Sequence, residues 1–218
     1  MGIDFLGQVG DYAIYGDLPD SNSICQVVWG KSSTSAGNDG YCGHWTGGQE
    51  SYIVYQINST TQAGLVRQSN INKTASSTTD YTDGAWHCLA GGGDEVNARL
   101  YVDSGDNDIT GTAYTTIDVH SGDFVTGSYA AAAGVQMVGE QQAVCVYNEW
   151  LSDAHLDALH RGVCGFVMRH DALVHYSPQY DNDIPGPQWV LGGTKGSVVG
   201  DQGRSSTNPP VEMVENYL

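Results

Sequence analysis

Apolar and polar positions along this chain alternate in short bursts, without helical spacing over most of its length. SYIVYQIN (51–58) and ARLYV (98–102) are rich in β-branched and aromatic residues and lie between Gly, Asp, Asn and Ser clusters, as strands bounded by turns do. The pattern predicts strands at Ile3–Leu6, Tyr12–Tyr15, Ile24–Trp29, Tyr52–Ile57, Ala63–Arg67, Ala85–Ala90, Ala98–Val102, Val135–Val138 and Ala143–Tyr147. So many short strands predict an all-β fold, a two-layer antiparallel sandwich or jelly roll. Trp86, Leu89, Leu100 and Val102 fall in phase to bury one face, with Val144, Val146 and Trp150 lining the same core. One short helix is predicted after Trp150, in LSDAHLDALHRG. Ser152 is its expected cap, Leu151, Leu156 and Leu159 form its apolar side, and Arg161 and Gly162 suit its end.

The texture changes beyond Gly162. FVMRHDALVHYSP (166–178) keeps an apolar element, after which Pro185, Pro187, Pro209 and Pro210 punctuate Gly- and Ser-rich chain. This tail lacks the periodicity of a second core. The expected organisation is a domain over 1–162 and an extended C-terminal arm over 163–218, packed on the domain or on a neighbouring subunit.

Charge narrows the partners. Eight Lys and Arg face 25 Asp and Glu, a formal net charge of −17 over 218 residues. Such a surface repels phosphate backbones and anionic membranes, so no nucleic-acid and no membrane partner is expected. No apolar run reaches the length that spans a bilayer. The first twenty residues carry Asp4, Asp11, Asp17 and Asp20 without Lys or Arg, which does not read as a secretory signal peptide. The acidic excess has two readings: a halophilic surface whose self-repulsion salt screens, or ordinary acidic solubility with Asp used in turns and Ca²⁺ sites. The five cysteines are Cys25, Cys42, Cys88, Cys145 and Cys164. Their odd number and wide spacing suggest apolar packing in a reducing cytoplasm rather than a disulfide framework.

Three segments carry a resemblance. DGAWHCLAGGGDEVNARLYVDSGD (83–106) resembles the strand–hairpin–strand signature of laminin-G-like, concanavalin-A-like jelly rolls. GEQQAVCVYNEWLSDAHLDALHRG (139–162) resembles their closing strand and helix, and IDFLGQVGDYAIYGDLP (3–19) their opening strands. The following ALVHYSPQYDND and NPPV resemble the tail after this fold in structural proteins of tailed viruses. The resemblance implies a non-enzymatic virion structural protein: a capsid decoration or turret subunit on the particle's exterior. Such a protein is made in the host cytoplasm and contacts its own copies and other capsid proteins. A carbohydrate-binding, lectin-like module that recognises host surface glycans is the alternative, and a jelly-roll glycosidase or lyase the third reading.

Catalytic chemistry leaves little trace. Glycoside hydrolysis uses two carboxyls about 5–9.5 Å apart, and the six Glu (50, 95, 140, 149, 212 and 215) form no alternating acidic array. The Arg-x-Glu-x-Arg strand of the lyases is missing too. Asp103, Asp106 and Asp108 in DSGDNDITG have a spacing that suits Ca²⁺, the one cofactor the sequence raises. The same residues also suit a hairpin turn. Asp181 and Asp183 pose the same question. Tyr41, Trp45, Tyr81, Tyr114 and Tyr129 lie in Gly-, Ser-, Thr- and Asp-rich stretches that read as loops, which makes them the candidates for glycan or partner contact.

Overall fold

The structure is a computed structural model. It describes residues 3–6, 12–32, 40–46, 49–57, 61–119, 121–128, 137–165, 167–177, 197–199 and 202–204. The first strands are β1 (Ile3–Leu6), β2 (Tyr12–Ile14), β3 (Ser23–Lys31), β4 (Gly40–Thr46), β5 (Gln49–Ile57) and β6 (Thr61–Gln68). They are followed by β7 (Ile71–Asp80), β8 (Trp86–Asp94), β9 (Asn97–Val102), β10 (Ser104–Ala113), β11 (Phe124–Thr126) and β12 (Val138–Tyr147). Helix α1 (Asp153–His160) comes next, then β13 (Leu173–Ser177), β14 (Ser197–Val199) and β15 (Gln202–Arg204).

Among the described residues these strands form two antiparallel sheets. The first runs β10-β9-β8-β3-β12-β1-β15, with β13 also on β12, and the second runs β14-β2-β11-β4-β5-β6-β7. This is the two-layer sandwich that the strand pattern predicts. The core between the sheets takes Ile24, Val28, Leu89, Leu100, Val102, Val144 and Val146 from the first sheet and Tyr15, Tyr52, Val54, Val66 and Phe124 from the second.

The period of two sends the other side chains of the first sheet outward. Cys25, Val27, Trp29, Cys88, Ala90, Tyr101 and Cys145 form a second buried cluster with Leu151, Leu156 and Leu159. Trp86 and Trp150 pack against this outer cluster, not between the sheets as their phase predicts. The reason is parity, since Trp86 shares a face with Cys88 and Ala90 while Leu89 points the other way. An eight-residue helix is marginal alone, and burying Leu156 and Leu159 contributes about 2 kcal/mol each to docking it. Asp157 anchors α1 further: its Oδ1 accepts the Tyr101 hydroxyl and the Gly105 N–H, both at 2.9 Å. Ser152 caps through its backbone carbonyl. Its hydroxyl turns to His155 Nδ1 at 3.0 Å and bonds no backbone N–H.

Several predicted boundaries shift: in place of separate strands at Val135–Val138 and Ala143–Tyr147 there is the single β12, and Val135 lies outside the described residues. The strand predicted to end at Ala90 runs on through Gly91, Gly92 and Gly93 to Asp94. The acidic segment expected as a hairpin turn is mostly strand β10, and the turn itself is Asp103, at φ 62° between the ladder partners Val102 and Ser104.

The glycines of β8 allow the two layers to touch. A Cβ on Gly91 would stand 2.9 Å from Gly64 Cα, and one on Gly64 would stand 2.2 Å from the Arg99 carbonyl oxygen. At the sheet edges a Cβ on Gly111 of β10 would meet the Thr74 carbonyl of β7 at 2.2 Å. The sandwich is thus pinched shut backbone against backbone on this side. Beyond α1, β13 pairs with β12, β14 with β2 and β15 with β1. The contact predicts that Gly64→Ala destabilises the protein by about 1–3 kcal/mol through overpacking. Urea denaturation should show a lower midpoint at unchanged slope; an unchanged midpoint would mean that the sheets are not in contact there.

Candidate functional site

The ladder between β3 and β8 defines the two ends of the sandwich, with Ser23 opposite Asp94 at one and Lys31 opposite Trp86 at the other. At the Ser23 end, segments distant in sequence are tied into one rim. Ser69 and Asn70 form the β6–β7 turn with φ of 51° and 63°, a left-handed conformation that needs outside support in residues other than glycine. Asp118 supplies it, accepting the Ser69 N–H at 2.7 Å and the Asn70 N–H at 2.9 Å. The Asp118 carbonyl accepts the Ser51 hydroxyl at 2.9 Å, and its N–H donates to the Arg67 carbonyl at 2.7 Å. Beside this knot Arg67 lies over the half-buried Trp45 ring, with Cζ 5.4 Å from the centroid.

His44 occupies the inner side of the same rim. Its Nε2 donates to the Gly122 carbonyl at 2.8 Å, and its Nδ1 donates to Asp20 at 3.3 Å. Asp17, largely exposed, lies 3.1 Å from Nε2. Because a carbonyl and a carboxylate oxygen both accept, these two contacts favour the imidazolium form, which alone can donate from both nitrogens. Burial opposes that charge, but the Asp20 and Gly122 hydrogen bonds and both carboxylates outweigh it, so the His44 pKa is raised. Tyr52 packs on the imidazole at 5.4 Å.

The opposite end holds a second histidine of this kind. His87 donates Nδ1 to Asp103 at 2.6 Å and Nε2 to Asp83 at 3.0 Å. Here too burial lowers the pKa while the Asp103 and Asp83 bonds raise it, and the net shift is upward. Tyr81 stands edge-on to this ring at 5.0 Å.

The predicted contact residues therefore separate. Trp45 belongs to the Ser23 rim and Tyr81 to the His87 end. Tyr41 and Tyr114 do not line exposed loops: they are only 3% and 4% exposed. Tyr41 lies in β4, where its ring fills the space over Gly30. Tyr114 donates its hydroxyl to the Asn22 carbonyl at 2.5 Å and accepts the Glu95 N–H at 2.9 Å. Their Gly- and Thr-rich surroundings resemble loops because small residues make room for large rings. Tyr129, Asp181 and Asp183 lie outside the described residues.

The Ca²⁺ candidates also turn to different partners. Both Asp103 oxygens are engaged, by His87 and by the Cys88 N–H at 2.8 Å. Asp108 is paired with Arg99, which also holds Asp94 at 2.7 Å and lies over Trp150. The Asp106 side chain is outside the described residues. A cation would have to displace His87 and Arg99, and no group of three His, Cys, Asp or Glu among the described residues is arranged to hold one. His44, Asp17, Asp20 and Arg67 were not singled out by the sequence. No spacing links them, because the rim is assembled from segments brought together only by folding.

No family profile and no curated protein matches the chain. Solved structures do. A candidate carbohydrate-binding protein from Bacteroides ovatus superposes with a TM-score of 0.67 at 14% identity, over 95% of this chain and 62% of its own. Domains LG4–5 of the mouse laminin α1 chain match with a TM-score of 0.53 at 16% identity, over 66% of this chain and 40% of theirs. The enzymatically active domain of tailspike protein 2 of bacteriophage CBA120 matches with a TM-score of 0.55 at 11% identity, over 77% of this chain and 28% of its own. This chain thus spans less than two thirds of each. Likeness at such identities shows the fold, a laminin-G-like jelly-roll sandwich.

Both histidine sites carry a pH signature. A folded pKa raised above 6.5 gives stability that is complete below 6.5 and is lost as pH rises through the folded value. The melting temperature should therefore fall as pH rises above 6.5, and His44→Gln with His87→Gln should flatten that decline. A wild-type curve that is level or rising over this window would contradict the imidazolium assignment.

Proposed function

We propose that this chain is a non-catalytic glycan-recognition module carried on the outside of a virus particle. The observation that supports it most is the Ser23 rim. There a half-buried indole on β4 lies against a guanidinium on β6, and Asp118 locks the β6–β7 turn beside them. Sugars are recognised by stacking an apolar ring face on an aromatic while planar polar groups bond the hydroxyls. Trp45 supplies the first element and Arg67 the second. The rim needs little reordering on binding, which favours affinity. The likeness to a candidate carbohydrate-binding protein points the same way.

The acidic residues favour recognition over hydrolysis. Glu140 is paired with Lys31 at 2.6 Å, Glu149 with Arg169, and Glu95 sits in the β8–β9 turn at φ 76°. Glu50, Glu212 and Glu215 have side chains outside the described residues. Glycan-array binding followed by calorimetry tests the reading. Trp45→Ala should weaken binding to the best-bound glycan at least about tenfold while circular dichroism shows the sandwich still folded. Equal binding by the variant, or no glycan bound at all, would remove it.

A second reading, a capsid decoration or turret subunit forming homo-oligomers on the virion exterior, is favoured by the pairings of β14 and β15. Each of these strands adds to the edge of a sheet, the geometry by which an arm over 163–218 could add to the edge of a neighbour instead. The resemblance to tailed-virus proteins and the tailspike likeness support a particle, and the net charge of −17 keeps the module clear of packaged nucleic acid. Mass spectrometry of purified particles should find the chain in many copies; its absence would refute both particle readings.

A further inference from the structure

Four of the five cysteines are buried, and Cys164 is partly exposed. Two of the five meet in one small apolar pocket on the outer face of the first sheet. Cys145 of β12 and Cys164, beyond α1, line it together with Val27, Trp29, Leu159 and Tyr176. The two cysteines share their neighbours in this pocket. Cys145 is the ladder partner of Tyr176, whose hydroxyl lies 3.6 Å from Cys164 Sγ. Gly165, the residue after Cys164, sits directly over Cys145: a Cβ there would be 2.2 Å from the Cys145 sulfur. The Gly165 carbonyl is fixed in that position by the Tyr147 hydroxyl at 2.8 Å. Only a glycine allows the chain to pass so close to a thiol.

We propose that Cys164 and Cys145 form a thiol–disulfide exchange site for small soluble disulfides of the glutathione class, ending in an internal Cys145–Cys164 bond. The thiol of the partly exposed Cys164 loses its proton and attacks one sulfur of the reagent. The Cys164–reagent bond forms, the reagent's S–S bond breaks, and the first reagent thiol leaves with that proton. Cys145 then loses its proton and attacks the Cys164 sulfur, which expels the second reagent thiol. Two hydrogens and two electrons pass from the protein to the reagent, which ends as two thiols. Cys145 reacts second because it is only 2% exposed and burial pushes its thiol pKa up, so it meets no free reagent. The product ties the segment after α1 to β12, an interior strand of the first sheet.

The chemistry stands apart from the glycan and virion readings. A chain released from a reducing cytoplasm on a particle would meet such a disulfide only after release. The test uses the full chain incubated with oxidised glutathione, remaining thiols alkylated, and peptides mapped without reduction. A peptide pair joined through Cys145 and Cys164 is expected, with Cys25, Cys42 and Cys88 alkylated only after unfolding. Cys145→Ser should stop at a glutathione adduct on Cys164, and Cys164→Ser should give neither product. A lasting adduct on Cys164 in the wild type, or a bond from Cys145 to any other cysteine, overturns the proposal. Circular dichroism checks each variant's fold. Should Cys145→Ser fail to fold, the wild-type map and the more exposed Cys164→Ser variant still decide.

Discussion

The contact between Gly64 and Gly91 sets the geometry on which the other features depend. Packed sheets usually stand about 10 Å apart, a spacing set by interdigitating side chains. Where β6 meets β8 this chain has no side chains to interdigitate, and the layers close to backbone contact, with Gly111 of β10 repeating the contact against Thr74 of β7. One side of the sandwich is therefore narrow. The large rings of Tyr15, Tyr52 and Phe124 occupy the interior elsewhere. A wedge-shaped core of this kind resists sliding of one sheet over the other, because a glycine must stand wherever the other layer's backbone approaches.

The first sheet is buried on both faces, and that fixes the place of α1. A sheet covered on one side shows alternating apolar and polar positions, whereas one covered on both shows continuous apolar runs. SICQVVWGK in β3 and the second half of β12 are such runs. Their outward set of Cys25, Val27, Trp29 and Cys145 needs a lid, and Leu156 and Leu159 provide it. The cysteines serve here as small apolar side chains, and burial raises the Cys25 pKa to about 12.

Most of the strands predicted from β-propensity are present, as is the helix. The missed strands include the short apolar β11 and β13 and a set of polar or glycine-bearing strands that escape for two physical reasons. β7 and β10 are the edges of their sheets, where natural strands are polar to discourage further pairing, so INKTASSTTD and SGDNDITGTA read as loop. β4 and the end of β8 contain glycine where backbone or a ring from the other sheet approaches, and glycine in isolation reads as a turn. The same ambiguity misplaced Tyr41 and Tyr114. Of the candidate site, Trp45 was legible because an aromatic beside a turn is an unusual expense of apolar surface. Arg67, His44 and Asp118 were not, since their roles exist only once β4, β6 and the connection before β11 converge.

The position of the rim follows from these constraints. With both faces of the first sheet covered and one side of the sandwich pinched shut, the ends of the strands are where side chains can vary without disturbing the core. The two ends are built alike in one respect, a histidine held between carboxylates, but they differ in what surrounds it. At the far end His87 ties Asp83 to Asp103 and thereby secures the β9–β10 turn, a structural task that uses both ring nitrogens. At the Ser23 end His44 performs the same task for Asp20 and Gly122, while Asp118 independently locks the β6–β7 turn. Trp45 and Arg67 stack on each other beside that lock, so an indole face and a guanidinium meet at the end of the sandwich where the strands β4 and β6 come together.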